Sequence, residues 1–338
     1  MIRVGVVGCG YWGPNLIRNF AESGRTELRV VCDLQAERLA KLRARYPAVR
    51  MVTDFEAVAS DPELDAVALA TPVGTHHPLA LRLLRAGKHV LVEKPLAVTA
   101  QQVQELIAAA ERADRVLMVD HTFVFTGAVR KIKELVSSGA LGDIYYYDSV
   151  RVNLGLFQHG VNVLWDLAVH DLSIMDHVLG MQPQAVSATG VSHVPGEPEN
   201  IGYLTVFFDG GLLAHVHVNW LSPVKVRRTL IGGSRKMILF DDLEPSEKVK
   251  VYDRGITVDR DREQIYNLLI SYRMGDMWAP QLDTTEALRS VVAHFADCIE
   301  RGSRPVTDGA AGLRVVRILE AAAASMRGRG QPVELPAA

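Results

Sequence analysis

Ile2-Arg3-Val4-Gly5-Val6-Val7-Gly8-Cys9-Gly10-Tyr11-Trp12-Gly13 is the stretch on which the reading of this chain turns. Ile2, Val4, Val6 and Val7 make the short apolar run of a buried strand. Gly8, Gly10 and Gly13 then fit G-x-G-x-x-G, and a helical stretch follows from Pro14 to Ser23. In a strand–loop–helix unit each glycine has a mechanical task. The first allows a tight turn, the second lets backbone approach a pyrophosphate, and the third lets the helix pack on the strand. The helix start offers N–H groups and the positive end of its dipole to phosphates. Glycine turns are common, so the context decides. It predicts a dinucleotide cradle built from Gly8, Gly10, Tyr11, Trp12 and Gly13.

A second apolar strand, Leu28–Cys32, ends at Asp33, roughly 20 residues past the last loop glycine, as the dinucleotide fingerprint requires. A carboxylate there accepts from both ribose hydroxyls of an adenosine and repels a 2′-phosphate. That favours NAD as cofactor. Arg38, in the helix that follows, softens the discrimination and leaves NADP open. Asp33 also suits the simpler task of capping that helix.

The 338 residues exceed one ordinary core and suit two domains, and an apolar fraction of 48% fills them. A formal net charge of -2 gives no electrostatic basis for capturing nucleic acid or an anionic membrane. Cys9, Cys32 and Cys298 match no metal spacing, so neither a metal site nor a disulfide framework is expected, and a reducing cytoplasm is the natural home. The chain begins in its first strand, without a signal-peptide pattern, and no apolar run is long enough to span a membrane.

Residues 1–120 alternate short apolar runs with helical stretches, which implies right-handed crossovers and a doubly wound parallel sheet, an α/β Rossmann domain. From 121 the texture changes. A helix at Gly127–Ser138, a strand at Ile144–Asn153 and a helix at Val163–Leu179 lead into successive strands between Ala185 and Tyr252. That run predicts an α+β domain over 121–338 with a large, mainly antiparallel open sheet, closed by helices at Thr284–Arg301 and Ala310–Arg327. His215 and His217 share one face of a strand. Without a third ligand nearby, packing suits them better than metal binding.

Open parallel sheets bind ligands beyond the carboxyl ends of their strands. Two loops there carry polar groups. One is Thr71-Pro72-Val73-Gly74-Thr75-His76, and the other is Glu93-Lys94-Pro95 directly after an apolar strand. Lys94 offers a cation and up to three donors beside a hydride acceptor. The plainer alternative is a salt bridge to Glu93. In the second domain Asp166 and His170 lie four apart on an expected helix and face one way. Such a pair can carry general acid/base chemistry or simply decorate a helix surface.

Together these strings resemble the Gfo/Idh/MocA oxidoreductases (glucose–fructose oxidoreductase, inositol dehydrogenase and relatives) over nearly the whole chain. The resemblance rests on Gly8–Gly13, Thr71-Pro72 with His76, Ala86–Pro95 and Asp166 with His170. It implies that Lys94 is catalytic, that His170 is the acid/base assisted by Asp166, and that Thr71, Pro72, His76, Glu93, Lys94 and Pro95 border the cofactor. It also implies a Lys94–Pro95 peptide that is often cis, and a homodimer or homotetramer built through the second sheet. The strings Tyr11–Leu16, Val150–Gly155 and Trp165–Asp171 resemble a bacterial branch linked to sugar and nucleotide-sugar modification, with Val169 where proline is frequent. Arg151 and Asn153, two apart on one strand face, are candidate substrate contacts alongside Lys94, Asp166 and His170, or else ordinary sheet surface. The expected activity is hydride transfer between nicotinamide and a secondary alcohol or ketone of a sugar, cyclitol or nucleotide-sugar. An NAD-dependent glycosidase working through transient oxidation, and a non-catalytic dinucleotide sensor, are the alternatives.

Overall fold

The computed structural model describes residues 1–155, 160–258 and 270–336. Two compact units emerge, residues 1–126 with 285–317, and residues 127–284 with 318–338. The sequence pattern placed all of 121–338 together, and the fold differs. Residues 285–317 belong with the first unit, because α8 (Ala287–Arg301) is amphipathic and buries Leu288, Val291, Val292 and Phe295 in its core.

The first unit is built on six parallel strands, β1 (Ile2–Val7), β2 (Thr26–Cys32), β3 (Arg50–Val52), β4 (Ala66–Leu69), β5 (His89–Glu93) and β6 (Leu117–Asp120), in the order β3-β2-β1-β4-β5-β6. Helices α1 (Gly13–Glu22), α2 (Ala36–Arg43), α3 (Glu56–Ala59), α4 (His76–Arg85) and α5 (Ala100–Ala113) make the crossovers. β4 is buried along its whole length, as a central strand covered on both faces must be. Strand order reverses between β1 and its neighbours β2 and β4, so the crevice of this doubly wound sheet opens above β1.

The second unit holds α6 (Gly127–Ser137), β7 (Ile144–Leu154), a π-helical turn at Leu164–Ala168, α7 (Val169–Leu179) and the strands β8 (Pro183–Val191), β9 (Ile201–Phe208), β10 (Leu213–Asn219), β11 (Leu221–Gly233), β12 (Met237–Asp241), β13 (Val249–Val258) and β14 (Ile270–Trp278). α9 (Gly309–Arg327) runs across the division, and β15 (Val333–Glu334) adds a last short strand. The nine strands form one sheet, β14-β13-β12-β11-β7-β10-β9-β8-β15, antiparallel except where β7 meets β10. Alternation along the strands sends Tyr147 and Ser149 of β7, Leu204 and Val206 of β9, and Ala214, Val216 and Val218 of β10 inward. The expected single helix over Val163–Leu179 is two pieces, the π turn and then α7.

Candidate functional site

The glycine loop separates internal needs from external ones. Gly8 has φ +99°, a conformation that disfavours L side chains, and a Cβ there would meet the Ala70 carbonyl. A Cβ on Gly13 would run into the Gly8 carbonyl oxygen, so the start of α1 lies against the loop. Gly10 is different. A Cβ there would meet only Arg38 Nη1, at 3.9 Å. Packing within the chain therefore gives no reason for glycine at this position, whereas a pyrophosphate needs bare backbone to approach. No side chain caps α1, whose second residue is Pro14. Tyr11 is 93% exposed at the lip.

Asp33 stitches the loop to the end of β2. Its Oδ2 accepts from the Cys9 N–H at 2.6 Å and its Oδ1 from the Gln35 N–H at 2.8 Å. It is 7% exposed, and Arg38 Nη1 stands 3.5 Å from Oδ2. The acid, the half-exposed guanidinium and Gly10 thus share one corner at the carboxyl end of β2. These residues fit a dinucleotide. The Cys9 thiol beneath is pushed up to about 12, by burial first and by the Asp33 charge second, so it is a neutral packing group.

The other half of the sheet carries a denser polar cluster. Lys94–Pro95 is cis. Glu93 Oε2 accepts from the Lys94 backbone N–H at 2.6 Å. Glu93 and Asp120 are register partners at the ends of β5 and β6. Asp120 is almost fully enclosed, accepting from the Trp12 indole N–H at 3.1 Å and the Thr122 hydroxyl at 2.7 Å. Burial, with Asp120 as neighbour, pushes Glu93 up to about 8, and burial raises Asp120 as well, while the Lys94 charge opposes both shifts. At neutral pH the pair retains a proton that two isolated carboxyls would have lost.

His76 sits where the sequence put it, yet with a different task. Its Nδ1 lies 2.8 Å from the Pro95 carbonyl oxygen and its Nε2 2.7 Å from that of Thr71. Both ring nitrogens are engaged by the protein, so His76 braces the Thr71-Pro72 loop against the turn after Lys94 instead of reaching for a ligand. Burial holds its pKa below the usual value, against the two carbonyls. Trp12, also expected at the cofactor, spends its indole N–H on Asp120 and packs against the core that includes α8.

In the second unit, the π turn sets the candidate acid/base. Asn162 Oδ1 accepts from the N–H groups of Leu164 and Trp165 at 3.1 and 3.3 Å and starts the turn. Val169 then bonds back to the Leu164 carbonyl, five residues away. Such single π turns are frequent at functional positions. Asp166, inside the turn, accepts from the indole N–H of the fully buried Trp220 at 3.1 Å. His170 lies in the first turn of α7, and the Ser173 hydroxyl donates to its carbonyl at 2.7 Å. The next residue, Asp171, is anchored in the sheet. Arg151 Nε donates to Asp171 Oδ2 at 2.6 Å, Arg151 Nη2 to Oδ1 at 3.2 Å, and the Ser149 hydroxyl to Oδ1 at 2.7 Å. Arg151 is 3% exposed. The expected substrate contact gains no support from this geometry: Nε and Nη2 of the guanidinium are held in a buried ion pair beneath the His170 turn. Asn153 stands half-buried further along β7, where a Cβ on Gly155 would meet its Nδ2.

Sequence reasoning missed Asp120, His121, Asp171 and Trp220. For the first two a signal existed, because Asp120-His121-Thr122 follows an apolar strand just as Glu93-Lys94-Pro95 does. His215 and His217 do share a face. Tyr203 stacks on His217 at 4.5 Å between ring centroids, and His215 Nδ1 lies 3.5 Å from Asp148 Oδ1. Among the described residues no group of three or more His, Cys, Asp or Glu gathers as for a metal ion. No helix among them is long and apolar enough to cross a membrane.

Comparison with known proteins bears on the family and the fold. Residues 2–121 match the model of an oxidoreductase family with an NAD-binding Rossmann fold, and residues 129–239 match the GFO/IDH/MocA C-terminal domain. The chain is 26% identical to scyllo-inositol 2-dehydrogenase (NADP(+)) of Bacillus subtilis, over 96% of this chain and 94% of that one. It is also 26% identical to UDP-N-acetylglucosamine 3-dehydrogenase of Acidithiobacillus ferrooxidans, over 93% and 94%. A solved structure of the latter enzyme superposes with a TM-score of 0.80 at 24% identity, covering 96% of this chain and 98% of that one, and so shares the fold.

Proposed function

The chain belongs to the Gfo/Idh/MocA oxidoreductases, NAD(P)-dependent enzymes, and within that family we propose that it oxidises a secondary alcohol of a sugar, cyclitol or nucleotide-sugar, or reduces the matching ketone. The observation that carries the reading is Lys94, held on its cis-proline turn between the Glu93 carboxyl and the His76 brace, at the carboxyl end of β5. The relatives named above act on a cyclitol and a nucleotide-sugar, which supports that substrate class.

Bound NAD(P) supplies the hydride acceptor at the nicotinamide ring. Lys94 donates to the substrate oxygen as that oxygen takes on carbonyl character, and its charge stabilises the alkoxide through which the proton and hydride separate. His170 takes the hydroxyl proton at a ring nitrogen. Asp166, fixed by the Trp220 indole, orients that ring and supports its charged form. Asp33 and Arg38 receive the adenosine ribose, with Arg38 placed for a 2′-phosphate as well. In the reductive direction His170 returns the proton. The second sheet is the surface through which we expect copies of the chain to assemble.

The test is incubation of the purified protein with NAD or NADP and a panel of inositols, aldoses and UDP-sugars, read by NADH absorbance and product mass. The reading predicts stoichiometric NADH and a product two mass units lighter than its alcohol. Turnover that cleaves a glycosidic bond without net NADH would replace it with the glycosidase reading. Cofactor binding with no turnover across the panel would replace it with the sensor.

A further inference from the structure

We propose that His121 receives the carboxamide of the cofactor's nicotinamide. His121 directly follows β6, the outermost strand on its side of the first-unit sheet. Asp33, the ribose acid, ends β2, four strand spacings or ~19 Å away across the sheet. A dinucleotide laid over the carboxyl ends of such a sheet places its adenosine on the β2 side and its nicotinamide on the side of β4, β5 and β6.

His121 is 2% exposed, yet neither ring nitrogen has a hydrogen-bond partner among the described residues. Native proteins seldom bury a polar ring this way without a reason. The neighbouring polar groups do not supply one. His76 is spent on the Thr71 and Pro95 carbonyls, Asp120 on Trp12 and Thr122, and Glu93 on the Lys94 N–H. His121 is the ring at this end of the sheet with both nitrogens left over.

The chemistry narrows the ligand. Burial and the nearby Lys94 charge hold the ring neutral. A neutral imidazole offers one donor and one acceptor. A phosphate or carboxylate wants donors only and is a poor match. A primary carboxamide meets either ring nitrogen, its carbonyl accepting from the N–H or its NH2 group donating to the bare nitrogen. The inference concerns the cofactor, whose domain is assigned by family, and stands whatever the substrate proves to be.

The test is calorimetric titration of NADH and of ADP-ribose, which lacks the nicotinamide, into the wild type, His121→Phe and His121→Asn. The expected result for His121→Phe is about tenfold weaker NADH binding, the usual scale for one lost hydrogen bond in a buried site, with ADP-ribose unchanged within about twofold. His121→Asn, which keeps a donor and an acceptor, recovers part of the loss. In the wild type, NMR of isotope-labelled histidine should show the His121 ring nitrogens shifting with NADH and not with ADP-ribose, a readout that needs no variant to fold. Equal losses for the two ligands, or ring signals blind to the nicotinamide, would overturn the assignment.

Discussion

The two units bury carboxylates in opposite ways. In the second, Asp171 lies under the His170 turn clamped by the Arg151 guanidinium and the Ser149 hydroxyl. In the first, Asp120 and Glu93 meet at the ends of adjacent strands and are held by neutral or backbone donors from Trp12, Thr122 and Lys94. A permanent cation pins Asp171 in place and with it the geometry of a helix start. Neutral donors leave the Glu93–Asp120 pair free to keep or release a proton. The contrast teaches that burial alone does not define a carboxylate's role; the charge of its partner does.

Breaking each pair separately should give the largest difference. Arg151→Met leaves Asp171 buried without its cation, and should cost about 3–5 kcal/mol in denaturant unfolding. Glu93→Gln removes a carboxyl whose ionisation burial opposes, so at neutral pH it should leave stability unchanged or raise it, by at most about 3 kcal/mol. Equal costs would erase the distinction between the two regions.

The glycine loop sharpens the same point for cavities. Gly13→Ala puts a Cβ into the Gly8 carbonyl and should destabilise the first unit by about 1–3 kcal/mol. Gly10→Ala points a methyl into open space, so thermal unfolding should stay within about 0.5 kcal/mol of the wild type while dinucleotide affinity falls. Unaltered NADH affinity in Gly10→Ala would remove the loop from the cofactor site.

The pH dependence of stability should also split. The folded-state value of Glu93, about 8, is above its unfolded one, so its contribution is present in acid and is lost as pH rises through roughly 4.5 to 8. His89 is depressed to about 4 and His121 to about 3, both by burial first. Their contributions are present above about 6.5 and are lost as pH falls toward those values. Each group bends the curve by at most about 1.4 kcal/mol per pH unit. Denaturation of Glu93→Gln across pH should flatten the fall in stability between about pH 4.5 and 8 and leave the loss below about 4.5 intact; the reverse outcome would misplace the proton.

Much of the first unit was legible because its signals are local. The apolar run Ile2–Val7, the glycines and Asp33 sit within one βαβ stretch, and Lys94 follows directly on β5. What stayed hidden depends on distant partners. Nothing near Leu288 or Phe295 says that their helix packs against the N-terminal core. Period-two alternation put Arg151 on one face of β7 without saying that the face was inward or that Asp171 waited there. The spacing from Asp166 to His170 is the same in an α-helix as in a π turn, so the hydrogen bond to a carbonyl five residues back could not be read from it. His76 was rightly singled out and wrongly tasked, because its two carbonyl partners are backbone atoms with no sequence signature.

The central claim is that Lys94 acts on the substrate oxygen and not on the fold or the cofactor. Lys94→Ala measures it most directly, with NADH affinity and steady-state turnover on the alcohol found in the panel read from one preparation. The account predicts NADH affinity within about threefold of wild type and turnover lower by about 10²-fold or more. Turnover close to wild type at unchanged affinity would contradict it.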